Sequence, residues 1–288
     1  MSISKLKSAV SQRVAPRPTP VKPPPAPRPS LPSRAQPGFE PAKAKPAVID
    51  VCVAVTKDSA IARARQLLEG GVVERKQSDG SIVIEDAAYV NDATDVKGAR
   101  ADEAKRQLAD NVAVEADALA KLPPGDREKY LAVKKALLKS PGDPVAALAL
   151  QTMLLEGKLS EPSVLGLNPT LLGGLEKLAT QELAPGVDRQ QLLSDVVQEL
   201  AVPEAIAQRN KGTCVPTAIS IQLVQENPEE YVRLISGLAS PEGTVTTKGG
   251  DVLKRDDTAL DDPQRALTQR LLAAALTELG NGRADYNN

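Results

Sequence analysis

Apolar residues recur at helical spacing along most of the chain, which predicts a mainly α protein of the α+β class with a small β-hairpin. Helices are predicted over 99–121, 126–139, 143–156, 169–183 and 188–200, the first three bounded by proline or glycine. In the third of these helices, apolar residues cover most of the circumference, so we expect it at the centre of a bundle. These residues are Val145, Leu148, Leu150, Met153, Leu154 and Leu155.

Two further apolar segments lie near the C-terminus. The segment Val215–Gln225 is apolar on nearly every side, so we expect a buried central helix, packed against helices over 228–238 and 264–279. The last of these helices is predicted to begin at Asp262-Pro263 and to face the core with one apolar stripe. The stripe consists of Ala266, Leu267, Leu271, Ala274, Ala275 and Leu279.

Local signals also predict helix starts and hairpins. Asp58 is expected to cap a short helix, and Asn227 with Glu230 has the spacing of a capping box. Short β-rich segments flank a Ser-Asp-Gly turn at 78–80 and a Gly-Gly pair at 249–250, and each pattern is typical of a β-hairpin.

Charge and proline divide the chain unevenly. Residues 1–46 contain half of the 24 prolines and carry a net charge of +8, whereas the remainder carries -9. A basic, proline-rich segment buries too little apolar surface to fold, so we expect a disordered tail that extends into solvent. The tail could recruit a protein partner, but Phe39 is its one aromatic residue with which to stack nucleic-acid bases, so nucleic-acid binding is not expected.

Cysteine and histidine usage limits the chemistry available. The chain has two cysteines, Cys52 and Cys214, and no histidine. A distant pair of cysteines does not form a disulfide framework, and a structural zinc site lacks sufficient ligands, so we expect free thiols and no cofactor. No apolar segment is long enough for a membrane span, and no secretory signal is present. We therefore expect a cytoplasmic protein, or one exported without a cleavable signal peptide.

Cys214 is the strongest candidate for chemistry. It is predicted at the first position of a helix, where unpaired N–H groups stabilise a thiolate and can bind a developing oxyanion. Gln208, six residues earlier, can supply a further amide donor, and Gly212 allows a substrate backbone to approach. These residue types suit acyl transfer from a peptide or isopeptide bond.

The segment Gln208-Arg-Asn-Lys-Gly-Thr-Cys214, with its apolar helix, resembles the papain-like cysteine peptidases, including the branch related to bacteriocin-leader peptidases. The resemblance implies that Cys214 is a nucleophile and Gln208 an oxyanion donor. In the family, a β-sheet that follows this helical half supplies the histidine base, which this sequence lacks. Val215 also stands where an aromatic residue is common.

Three interpretations of Cys214 follow. It is a buried structural thiol, the nucleophile of a truncated or split hydrolase, or a remnant in a pseudo-enzyme that kept the scaffold for binding. The chain alone is expected to be inactive. The substrate class that the resemblance implies is a peptide or protein. The alternative function is a non-catalytic helical interaction module, or a secreted bacterial effector with a recruiting tail. The expected organisation is a tail (1–46), a small α/β element (47–97), a helical region (98–200) and a partial papain-like unit (201–288).

Overall fold

Ten α-helices and two antiparallel hairpins make up the described part of the chain, which confirms the mainly helical class. The computed structural model describes residues 55–70, 73–76, 82–85, 94–160, 170–207, 212–261 and 265–282. The predicted tail (1–46) and Cys52 lie outside these residues. The helices are α1 (Lys57–Leu68), α2 (Thr94–Asp110), α3 (Val112–Ala120), α4 (Pro124–Leu137), α5 (Pro144–Glu156), α6 (Leu171–Thr180), α7 (Arg189–Ala201), α8 (Cys214–Glu226), α9 (Pro228–Ala239) and α10 (Leu267–Asn281).

Both predicted hairpins are present. Strand β1 (Val73–Lys76) pairs with β2 (Ile82–Glu85), and β3 (Thr244–Thr246) pairs with β4 (Val252–Lys254). In the second hairpin Val245 lies opposite Leu253, and the Leu253 side chain is fully buried. The β3–β4 hairpin therefore contributes to the core rather than standing in solvent.

Helix α5 occupies the centre of the bundle, as its apolar circumference predicted. Every residue from Ala146 to Leu155 is buried, and the helix contacts α1, α2, α3, α4 and α7. Asp143 accepts the Ala146 N–H at 3.0 Å and caps its start, and Gly157 ends the helix in the left-handed conformation.

Arg65 fastens α1 to this central helix. Its guanidinium donates to both oxygens of Glu156 at 2.8 Å and to the Ala201 carbonyl at 2.8 Å. Both side chains of the pair are mostly buried. The bidentate contact therefore acts where water screens it little, unlike the exposed pair of Arg106 with Glu103.

The predicted helix over 99–121 is wrong in one respect, because the structure divides it into α2 and α3 at Asn111. The backbone of Asn111 leaves the helical conformation, with ψ near 3°. Its side chain is buried and donates to the Gln151 amide oxygen on α5 at 2.9 Å. A polar contact with the central helix thus fixes the break, which apolar spacing alone did not indicate.

Two of the predicted capping interactions are wrong, although α9 begins at Pro228, directly after Asn227, as predicted. Thr56, rather than Asp58, caps α1, and it exchanges reciprocal hydrogen bonds with Ser59 at 3.0 and 3.2 Å. At the start of α9, Asn227 makes no side-chain capping bond, and the carboxylate of Glu230 is paired with Arg233 at 2.6 Å.

The β3–β4 hairpin packs closely on α9 through a glycine. A Cβ atom at Gly237 would lie only 2.6 Å from the Cβ atom of Val245 on β3. Arg255, just after β4, donates to the carbonyls of Leu238 and Ser240 at 2.9 and 2.7 Å, which satisfies the end of α9. These contacts fix the hairpin against the C-terminal half of the helix.

Candidate functional site

Cys214 is the first residue of α8, as predicted, and its thiol is free and exposed. Thr213 precedes it at the cap position but makes no side-chain capping bond, and its buried hydroxyl has no hydrogen-bond partner among the described residues. The exposure excludes a buried structural thiol, which was one of the three interpretations of Cys214.

The rest of α8 is half-exposed, so the prediction of a helix buried on all sides is wrong. Val215 and Ile219 are 65% and 38% exposed, and they lie one turn apart on the outer face. The inner face, which carries Thr217, Ser220 and Val224, is buried, and the helix contacts α9 and α10. Small and hydroxyl-bearing residues therefore pack inward, and two branched aliphatic residues point outward.

Helix α10 takes the central position expected for α8. All residues from Leu267 to Ala275 are buried, and the helix contacts α7, α8, α9 and β4. Of the predicted stripe, Leu279 is exposed near the end of the helix. Helix α8 thus lies at the edge of the packed region, with α10 beneath it.

The predicted oxyanion donor, Gln208, lies outside the described residues, so its relation to Cys214 stays a prediction. Gly212 is exposed, and a Cβ atom there would meet nothing within 4 Å. No described residue forms a hydrogen bond with the Cys214 thiol, and the chain has no histidine. What the described residues bring together is a thiol, the open start of a helix and an exposed aliphatic face.

Beneath this surface lies an acidic pair, the buried Glu199 and the partly buried Asp195, that sequence patterns did not reveal. Glu199 on α7 accepts hydrogen bonds from the hydroxyl groups of Tyr231 on α9 and of Thr268 on α10, the latter at 2.8 Å. Asp195, one turn earlier, accepts the Leu267 N–H at 2.7 Å and so caps α10. These side chains join three helices at one point.

Burial controls the ionisation of this pair. Burial, with repulsion from Asp195, raises the pKa of Glu199 to about 8. Burial raises the pKa of the Asp195 carboxyl to about 6, although the Leu267 N–H and Arg270 both act to lower it. The Tyr231 pKa is raised well above its usual value by burial and by Glu199, which keeps this phenol a hydrogen-bond donor.

A second buried carboxylate joins α3, α4 and α5. Glu115 accepts hydrogen bonds from Tyr130 at 2.6 Å, from Lys134 at 2.5 and 2.7 Å, and from Gln151 at 3.0 Å. Each described partner satisfies part of the carboxylate, and Lys134 balances its charge. This cluster therefore stabilises the packing of α3, α4 and α5, because its polar groups are hydrogen-bonded to one another.

An open groove of about 500 Å³ lies beside α1, α3 and the end of α5. Lys57 and Lys121 supply positive charge at its wall, and Asp117 opposes them. No described set of three or more Cys, Asp and Glu side chains is grouped so as to hold a metal ion.

Comparison with family models, with curated proteins and with solved structures found no match to this chain. Among the described helices, none combines the length and the apolar character needed to cross a bilayer. Any functional conclusion must therefore come from the chemistry and exposure of the residues themselves.

Proposed function

We propose that this chain is a degenerate papain-like unit that binds a peptide or protein partner along the outer face of α8 without hydrolysing it. The observation that carries the proposal is the exposure of Val215 and Ile219 beside the exposed thiol of Cys214. Aliphatic side chains one turn apart on an exposed helix face form an apolar surface that a partner can cover.

The composition of α8 supports this role. The helix carries no charged residue between Cys214 and Glu226, so a partner would not need to desolvate charges there. Covering each aliphatic side chain would contribute about 1–2 kcal/mol, enough for modest affinity when other contacts are added. The lack of any histidine removes the usual base for thiol-dependent hydrolysis.

Selection from a random peptide library against the full chain tests this function. Peptides that bind the protein should lose at least about tenfold in affinity when Ile219→Glu or Val215→Glu is introduced, because a charge replaces the apolar contact. Leu131→Glu is a matched control, since Leu131 on α4 is 49% exposed and belongs to another surface. Selected peptides that bind all three variants equally would contradict the proposal.

Exposure of Cys214 at a helix start favours a second candidate, thiol-dependent hydrolysis of a peptide-like bond. The test compares the chain with Cys214→Ala on fluorogenic peptide substrates. We expect no turnover that depends on Cys214. Turnover that the substitution abolishes would establish a base other than imidazole and would replace the binding proposal with a catalytic one.

A further inference from the structure

The junction of α7, α9 and α10 is closed by a carboxyl group that solvent hardly reaches. Glu199 is 4% exposed, and its two oxygens accept hydrogen bonds from the hydroxyl groups of Tyr231 and Thr268. Among the described residues, no lysine or arginine forms an ion pair with this carboxyl. The contrast with Glu115, which is paired with Lys134, shows that Glu199 is held by neutral donors.

The charged groups that act on the junction come from several elements. Asp195 on α7 repels Glu199, and Tyr231 on α9 donates to it. Arg270 on α10 attracts Asp195, whereas Asp143 at the start of α5 repels it. The Arg270 guanidinium donates to the Arg265 and Leu260 carbonyls at 2.9 Å. These two bonds hold it near the start of α10.

Protonation changes the charge of this site. A neutral Glu199 carries no charge into the buried junction and can still accept hydrogen bonds from the hydroxyl groups of Tyr231 and Thr268. An ionised Glu199 leaves a charge without a cation in a site that water does not solvate, with Asp195 one turn away. Such a charge is costly unless the site opens to water.

We propose that the Asp195–Glu199 pair is a proton-operated latch, which holds α9 and α10 against α7 while Glu199 is protonated and releases them when Glu199 loses its proton to solvent. The hydroxyl, carboxyl and backbone N–H contacts of this pair link all three helices, so a single proton acts on all of them. Helix α8 packs on α9 and α10, and the latch therefore also controls the support beneath the exposed face of α8.

The direction of the effect follows from linkage. Because Glu199 has its pKa raised from 4.5 to about 8 in the closed form, the closed form is favoured fully below pH 4.5. This advantage is lost as pH rises through about 8. Between pH 6 and pH 9 the opening constant should rise by about a hundredfold, as linkage with these two pKa values requires.

Hydrogen exchange of the full chain between pH 6 and pH 9, corrected for the intrinsic rate, measures this opening. Amides of α9 and α10 should lose protection by about a hundredfold over that interval, whereas amides of α5 keep theirs. In Glu199→Gln, which preserves the shape without a titrating group, protection should not change with pH. Constant protection in the parent protein, or an equal loss in α5, would overturn the latch.

Thr268→Val keeps the test decisive if Glu199→Gln fails to fold. Removing this donor disfavours the ionised carboxyl, so the midpoint of release should move to higher pH by about one unit. An unchanged midpoint would show that the carboxyl at this junction does not operate the release. Because the readout is hydrogen exchange, failure of the latch is distinguishable from failure of peptide binding at α8.

Discussion

Replacing Gly237 with alanine should weaken the fold by forcing the β3–β4 hairpin away from α9. The new Cβ atom would lie 2.6 Å from the Cβ atom of Val245 and 3.3 Å from the Thr244 carbonyl oxygen. Unstrained carbon contacts lie at about 3.5–4.0 Å. Because the Val245 Cβ atom is fixed to the strand backbone, no rotamer change removes the overlap, and the hairpin must move by about 1 Å.

The expected magnitude combines two opposing effects. Overpacking of this kind costs about 1–3 kcal/mol, whereas alanine in a helix interior gains about 1 kcal/mol over glycine. Gly98→Ala isolates the second effect, because Gly98 is exposed within α2 and a Cβ atom there meets nothing within 4 Å. The two variants should therefore differ in free energy of unfolding by about 1–3 kcal/mol, with Gly98→Ala the more stable.

Urea unfolding followed by circular dichroism at 222 nm measures the difference, with m-values compared to check that both transitions report the same unfolding. If Gly237→Ala proved as stable as Gly98→Ala, the close packing of β3 on α9 would be wrong. A Gly237→Ala variant that is destabilised while Gly98→Ala is stabilised would confirm that glycine at 237 is required by contact rather than by backbone conformation.

Three other substitutions or reactions test separate parts of the structure. Arg65→Met should destabilise by about 2 kcal/mol in urea unfolding, because it removes the bidentate partner of a mostly buried carboxylate and leaves only the longer contact with Lys158, whereas Arg106→Met at an exposed pair should change stability by less than about 0.5 kcal/mol; equal effects would contradict the burial difference. Lys134→Met should lower the free energy of unfolding by about 3 kcal/mol, since Glu115 then keeps a buried charge without a cation; an unchanged free energy in the same assay would contradict the stabilising role of the Glu115 cluster. Iodoacetamide should modify Cys214 in the native protein at pH 7, mapped by mass spectrometry with Cys214→Ser as control, and modification only after denaturation would refute its exposure.

The sequence predicted α5 well because its apolar circumference is a direct consequence of burial on all sides. The same criterion failed for α8. In that helix Thr217 and Ser220 are small enough to pack inward, and their hydroxyls do not prevent burial. Val215 and Ile219 point outward although they are apolar. Periodicity of apolar residues could not distinguish these faces, because nearly every position was compatible with a core.

The start of α10 was predicted less well because its capping partner lies far away in the sequence. Helix α10 is capped by Asp195, which precedes Leu267 by 72 residues. No local capping pattern contains that information. Glu199 left a weak signal, since it follows Leu192 and Val196 on the apolar face of α7, where an acidic residue is unusual. The catalytic role of Gln208 remains a prediction.

The two tyrosines in the described part of the chain give this protein its own optical reporters. Tyr130 and Tyr231 are both fully buried, and each donates its hydroxyl to a glutamate, Glu115 and Glu199 respectively. The protein contains no tryptophan, so tyrosine dominates its near-ultraviolet absorbance and emission. A phenol bonded to a carboxylate emits weakly, and its emission recovers when that bond breaks. Unlabelled protein can thus signal, through tyrosine emission alone, when the junction at Glu115, which is paired with Lys134, comes apart.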